Sequence, residues 1–199
     1  MFTGIIETQG QVRKVTKKDG NKIFWIKSPI SSKLKVDQSL CHDGVCLTIE
    51  DIKEGRHRVT AVEETLKKTT LNNCVVGQLL NLERCLKPDG RLDGHFVQGH
   101  VDATGRCISK NEKAGSWEFI FEFPEQFNEL IIEKGSITVN GISLTAFDVT
   151  KNNFTVAIVP YTFKHTNLKF TEPGHYVNLE FDMIGKYINR KLSLSNQNI

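Results

Sequence analysis

The sequence predicts an all-β protein made of two similar antiparallel barrels in tandem, and three observations carry that expectation. The first is an internal repeat. Asp43-Gly44-Val45-Cys46-Leu47-Thr48-Ile49 returns as Asn140-Gly141-Ile142-Ser143-Leu144-Thr145-Ala146, a shift of 97 residues. At the same shift Glu64 to Leu71 is answered by Tyr161 to Leu168, and Asn81-Leu82-Glu83 by Asn178-Leu179-Glu180. Thr3-Gly4-Ile5 is answered by Gln98-Gly99-His100 at a shift of 95, as a loop differing by two residues would give. A repeat this long suits a duplicated small domain rather than a solenoid unit. The second observation is short alternation of apolar and polar residues, and the third is the turn chemistry that bounds each run. Small antiparallel domains of many short strands close on themselves because closure removes exposed edges.

Taken in order, residues 22–26, 57–62, 79–85 and 154–159 are short, β-branched or aromatic, and bounded by Gly, Asn, Asp or Pro. Trp117, Phe119, Phe121 and Phe123 alternate with Glu118, Ile120 and Glu122, a strand with one strongly apolar face. Helical signals are few. Pro124, then Phe127, Leu130, Ile131 and a closing Gly135 predict one amphipathic helix, with residues 29–34 as a shorter counterpart. Residues 87–94 are turn chemistry and form the natural linker. The expected division is 1–92 for the first barrel, 93–183 for the second, and 184–199 for a terminal helix or tail. There Ile184, Tyr187, Ile188 and Leu192 make an apolar stripe that suits another subunit.

Bulk properties exclude several classes. The net charge of +3 is small and the lysines are dispersed, so a nucleic-acid partner has little support. Five cysteines form no Cys-x-x-Cys pair, which reads as reduced thiols in a cytoplasmic protein. No apolar run approaches membrane-spanning length, and the first residues lack the pattern of a signal peptide. Neither a phosphate-binding loop nor a dinucleotide fingerprint is present, and Gly141-Ile142-Ser143-Leu144-Thr145 misses the nucleophile elbow by its last residue.

Within the repeat, Cys46 and Thr48 share one strand face while Val45 and Leu47 point to the other. A lone thiol most often packs as a small hydrophobe. Ser143 and Thr145 in the same registry of the second copy argue instead for a polar pocket in both. His95 and His100 invite a metal, but their spacing places them on opposite faces of a regular strand and supplies no third ligand, so no metal is expected. One histidine acting as proton carrier remains open. Asn178, Glu180 and Asp182 read alone as a solvated face, and Lys134 beside Gly135 as a helix C-terminal lysine.

Met1-Phe2-Thr3-Gly4-Ile5-Ile6-Glu7, Gly44-Val45-Cys46-Leu47-Thr48, Gly94-His95-Phe96-Val97-Gln98-Gly99-His100-Val101-Asp102, Asn140-Gly141-Ile142-Ser143-Leu144-Thr145 and Asp182-Met183-Ile184-Gly185-Lys186-Tyr187 together resemble riboflavin synthase of the alpha-chain type. The resemblance implies two six-stranded antiparallel Greek-key barrels and a C-terminal helix, associated as a homotrimer. It implies binding of 6,7-dimethyl-8-ribityllumazine and riboflavin, possible association with lumazine synthase, and no cofactor. The implied reaction moves a four-carbon unit from one lumazine to another where the N-terminal barrel of one subunit meets the C-terminal barrel of a neighbour. Its products are riboflavin and a 5-amino-6-ribitylamino-pyrimidinedione.

Carried over by position, Ser39, Cys46 and Thr48 line the first pocket, with Phe2, Thr3 and Gly4 close by. His100, Lys134, Ser143, Thr145 and Asp182 come from the second barrel. In that set His100 is the proton-transfer group and Asp182 a charge partner. Ala61, Val62, Glu64, Thr65 and Gly99, with Val159, Pro160 and Thr162, hold the heterocycle or ribityl chain. Asp43 stands where the family commonly has asparagine, and Tyr161 where the other copy has the acidic Glu64. The alternative is a relative that binds lumazine or flavin as an optical antenna without turnover. A flavin-dependent reductase would need a nicotinamide-binding domain for which the chain has no room.

Overall fold

In the computed structural model, which describes residues 1–195, thirteen strands and three α-helices are arranged as two antiparallel β units in sequence. The strands of the first unit are β1 (Thr8–Lys18), β2 (Asn21–Lys27), β3 (Ser39–His42), β4 (Val45–Thr48), β5 (Asp51–Lys53), β6 (Arg56–Ala61) and β7 (Leu79–Arg84). Those of the second are β8 (Ala103–Lys113), β9 (Ser116–Glu122), β10 (Ser136–Val139), β11 (Ile142–Phe147), β12 (Asn153–Ile158) and β13 (Tyr176–Phe181). The second unit is a closed six-stranded barrel in the order β10-β11-β12-β9-β8-β13, and the first is a seven-stranded sheet in the order β4-β3-β7-β1-β2-β6-β5.

The first unit has seven strands where six are expected: β4 stops at Thr48, and β5 pairs with β6 at a place where the second unit, at residues 148–150, has no strand. Where β11 runs unbroken from its pairing with β10 to its pairing with β12, the first unit turns a corner at Ile49 and Glu50. The Ile49 N–H donates to Gln38 and the Glu50 N–H to Arg58, so the corner still links β3 to β6. The strand order is otherwise the same cyclic order in both units.

Each unit has its own core. Val12, Phe24, Ile26, Leu40, Val59 and Leu80 centre the first. The second is more aromatic: Phe119, Phe121, Phe123, Phe154 and Phe181 are all buried, as the alternation along β9 predicts. The helix expected over 124–135 is a 3₁₀ segment, Glu125–Leu130, which ends where buried Ile131 turns extended into the core. Its counterpart is shorter still, Ser31–Lys33.

Two helices have no counterpart in the sequence expectation, α1 (Glu63–Lys68) and α2 (Pro160–His165). They occupy matching places after β6 and β12. In α1, Lys67 pairs with Glu63 and Lys68 with Glu64 at i,i+4 spacing. In α2 the position of the second pair is taken by Tyr161 stacked on His165 at 4.1 Å. The terminal helix α3 (Met183–Ser195) keeps Ile184, Tyr187, Ile188 and Leu192 more than half exposed. The last part of the expected tail, 196–199, lies outside the described residues. Among the described residues no helix is long and apolar enough to cross a membrane.

The halves meet around an approximate internal twofold. Asp43-Gly44 and Asn140-Gly141 are the two-residue turns of the β3–β4 and β10–β11 hairpins, and all four residues have positive φ. That is the conformation for which Asp-Gly and Asn-Gly are favoured. Asn81 donates through Nδ2 to the Asn140 carbonyl at 3.0 Å, and its counterpart Asn178 donates to the Asp43 carbonyl at 2.7 Å. The corresponding N–H groups return to the turn side chains: Asn81 to Asp43 Oδ1 at 2.6 Å and Asn178 to Asn140 Oδ1 at 2.8 Å.

Candidate active site

The site is built on the strands that follow the two touching turns. Cys46 and Thr48 turn one face of β4 toward solvent while Val45 and Leu47 are buried behind it. In β11, Ser143 is half-buried and Thr145 exposed, again with Ile142 buried on the opposite face. The registry read from the repeat is therefore a real equivalence of place.

Each of these two strands is covered by a strap from the start of the opposite half. The Ser143 N–H donates to the Gly4 carbonyl, and the Cys46 N–H to the Gly99 carbonyl, both at 2.8 Å. Two buried glutamates hold the straps. Glu83 accepts the Thr3 N–H at 2.6 Å, the Thr3 hydroxyl at 2.7 Å and the Gly4 N–H at 2.9 Å. Glu180 accepts the N–H groups of Gln98 at 2.6 Å and of Gly99 and His100 at 2.9 Å. Burial pushes both carboxyls up, while these donors pull the other way. Glycine is required in the straps: a Cβ on Gly4 would lie 2.5 Å from Ser143 Cβ, and one on Gly99 would lie 2.6 Å from Cys46 Cβ, with φ near +80° at both.

In the second half a cavity of about 580 Å³ collects Lys134, Ser143, Thr145, Val159 and Thr162, with Ser136 and Asp93 on its wall. Lys134 has positive φ and lays its ammonium over the Phe147 ring, 4.7 Å from the centroid. Ser143 Oγ lies 2.7 Å from Nδ1 of His95, whose Nε2 lies 3.1 Å from Thr138 Oγ1. The His95 ring is buried, which holds its pKa below the ordinary histidine range, opposed by the charge of Asp182. The first half differs in chemistry. Cys46 packs with Phe2, Cys41 and Val97, and burial raises its thiol while Ser39 hydrogen-bonds to it and lowers it. At neutral pH it is a thiol rather than a thiolate. Ser39 and Thr3 line a separate cavity of about 480 Å³.

Another set of expected residues lies where β6 and β12 lead into the short helices. Ala61 ends β6 and Val62, Glu64 and Thr65 lie at or within the start of α1, while Val159, Pro160 and Thr162 hold the matching places at α2. His100 is exposed, and its backbone N–H is what Glu180 binds. Asp182 caps α3 by accepting the Ile184 N–H at 2.9 Å. The histidine that reaches Ser143 is His95. Residues 95–100 form no regular strand, only the Phe2–Val97 bridge, so the spacing argument about their faces does not apply. No signal in one sequence separates the two histidines. Among the described residues no group of three side chains could hold a metal ion.

Known proteins are similar to the chain in sequence and in fold. The lumazine binding domain family matches residues 3–85 and again 98–182. A riboflavin synthase from Bacillus subtilis (strain 168) is 37% identical over 199 residues, covering 100% of this chain and 93% of that protein. One from Mycobacterium bovis is 36% identical over 196 residues, covering 96% and 97%. In fold, the chain is similar to a solved LumP complexed with 6,7-dimethyl-8-(1'-D-ribityl) lumazine. The TM-score is 0.83 at 21% identity, covering 91% of this chain and 99% of that one. With two family repeats along its length and full-length relatives of one kind, the chain belongs to the riboflavin synthase family of lumazine-binding transferases.

Proposed function

We propose that the chain converts two molecules of 6,7-dimethyl-8-ribityllumazine into one riboflavin and one 5-amino-6-ribitylamino-pyrimidinedione, by transfer of a four-carbon unit. The observation that carries the reading is the pairing of unlike groups at one place in two like halves: Cys46 with Thr48, and Ser143 with Thr145. A reaction between two copies of one molecule needs two similar cradles. It also needs them to differ, since one copy gives up a proton from its 7-methyl group while the other is attacked at carbon 7.

Holding both heterocycles in place turns a bimolecular encounter into an effectively unimolecular step, an advantage of up to roughly 10 kcal/mol when alignment is good. In the second half, Ser143 and Thr145 meet the heterocycle, Lys134 supplies positive charge, and Val159 and Thr162 support the ribityl side. In the first, Cys46, Ser39 and Thr48 do the corresponding work, with Cys46 acting as a neutral hydrogen-bonding group. The exposed apolar stripe of α3 supports a homotrimer in which the first half of one subunit faces the second half of its neighbour.

The direct test is to supply the lumazine as sole substrate and follow riboflavin. Turnover supports the reading. A stable fluorescent complex that yields no riboflavin under saturating conditions would instead make the chain a lumazine or flavin carrier, the use suggested by the fold likeness to LumP.

A further inference from the structure

The imidazole of His95 is held between two hydroxyls of the second half, Ser143 Oγ at 2.7 Å on Nδ1 and Thr138 Oγ1 at 3.1 Å on Nε2. Thr138 and Ser143 face each other as a cross-strand pair of β10 and β11. Their counterparts, Cys41 and Cys46, form the same pair between β3 and β4. There the space beside the pair is filled by Phe2 and Val97 instead of an imidazole. The halves are thus alike in backbone and unlike in one respect that matters for proton transfer.

We infer that His95 is a positioning residue that makes Ser143 the proton acceptor of the reaction, and that the second half therefore holds the lumazine that loses its methyl proton. This rests on the riboflavin synthase reading of the site. A neutral imidazole has one N–H and one acceptor nitrogen. With the N–H on Nε2 directed at Thr138, Nδ1 accepts the Ser143 hydroxyl, and the serine oxygen turns its lone pairs to the cavity. When the methyl C–H bond breaks, its proton forms a new O–H on Ser143, and the original serine proton passes to Nδ1. The electron pair stays on the lumazine as a delocalised anion, and the positive charge rests on His95. Both imidazolium N–H groups then have hydroxyl acceptors already in place, and the Asp182 charge favours that state. Burial keeps the ring neutral beforehand, so it is free to accept.

The test compares His95→Asn, Ser143→Ala, Thr138→Val and the His95→Asn/Ser143→Ala double variant in the full chain. Four readouts are used: lumazine affinity by fluorescence, kcat, deuterium exchange of the 7-methyl protons by NMR, and unfolding midpoint. Expected is a kcat and exchange loss of about 100-fold for His95→Asn, in the range for a proton-transfer group, with affinity changed less than about threefold. Thr138→Val should lose roughly 10-fold, and the double variant should be no worse than Ser143→Ala, because residues acting as one unit are non-additive. The inference is overturned if His95→Asn keeps wild-type exchange, if the two single losses multiply, or if affinity and unfolding midpoint fall in step with kcat. The exchange readout needs only bound lumazine. If the wild type exchanged methyl protons but made no riboflavin, the synthase reading would fall while the role of His95 was still decided by the variants.

Discussion

Gly141 stands directly against Gly44, backbone on backbone. A Cβ built on Gly141 would lie 2.8 Å from the Gly44 nitrogen, and one on Gly44 would lie 3.0 Å from the Gly141 nitrogen. Both turns have positive φ, so a side chain meets strain as well as collision. Gly141→Ala is expected to lower unfolding free energy by about 3 kcal/mol or more, combining backbone strain with displaced packing. Gly115→Ala is the control, since its φ is also positive but nothing lies within 4 Å; it should cost only about 1 kcal/mol. Equal losses in denaturant melts of the two variants would show that the contact between turns contributes nothing.

Asp43 is the acidic member of that junction. Burial pushes its carboxyl up to about 8, although Asn81 and Asn167 donate to it. The folded state then holds the proton more tightly than the unfolded chain, so stability falls as pH rises from about 4 through about 8. Asp43→Asn places the residue of the second copy, Asn140, in the first. It should flatten that slope and gain up to a few kcal/mol over wild type near pH 9, since each tenfold difference in proton affinity between folded and unfolded chains is worth about 1.4 kcal/mol. Denaturant titrations at pH 5 and pH 9 decide it, and an unchanged slope counts against a strained carboxyl.

Cys46 should react slowly with iodoacetamide at pH 7 and faster well above pH 9, because burial raises its thiol. Exposed Cys85 would mask the signal, so the measurement belongs in a Cys85→Ala background. Rapid alkylation at neutral pH would mean a thiolate at the site. In keeping with a neutral hydrogen-bonding role, Cys46→Ser should retain more turnover than Cys46→Ala, by about tenfold, a step of roughly 1.4 kcal/mol.

Much of this is legible in the residues alone. The 97-residue shift locates both hairpin turns, and the alternation along β4 and β11 puts Cys46 with Thr48 and Ser143 with Thr145. What the residues do not reveal are features that depend on the other half of the molecule. The Glu83 and Glu180 clamps use a strand face that looks solvated in isolation, and the straps they hold lie about 80 residues away in sequence. His95 cannot be preferred over His100 by spacing, because the segment between them is irregular and its course follows the bridge to Phe2. The short helices α1 and α2 are hidden because six residues are too few to show a clear 3.6-residue period. The Glu63–Lys67 and Glu64–Lys68 spacing is the available hint.

Ile184, Tyr187, Ile188 and Leu192 remain exposed along α3, and three of them, Ile184, Ile188 and Leu192, line a groove of about 740 Å³ together with Leu130 and Ile132. If subunits associate there and share the site, deletion after Gly185 should lower both oligomer size and turnover, and Ile188→Glu should do the same more mildly. Sedimentation of both variants alongside activity checks this. A monomer with full turnover would rule out a site shared between chains.

Labelling gives the most direct measurement of all. With the carbons of the 6- and 7-methyl groups and their ring attachment points enriched in ¹³C, the lumazine is supplied as sole substrate and the products are separated. The expected outcome is one riboflavin carrying label from both lumazines, one unlabelled pyrimidinedione, and two lumazines consumed for each pair. Lumazine that stays bound and intact, or riboflavin labelled from one molecule only, would contradict four-carbon transfer between the two halves.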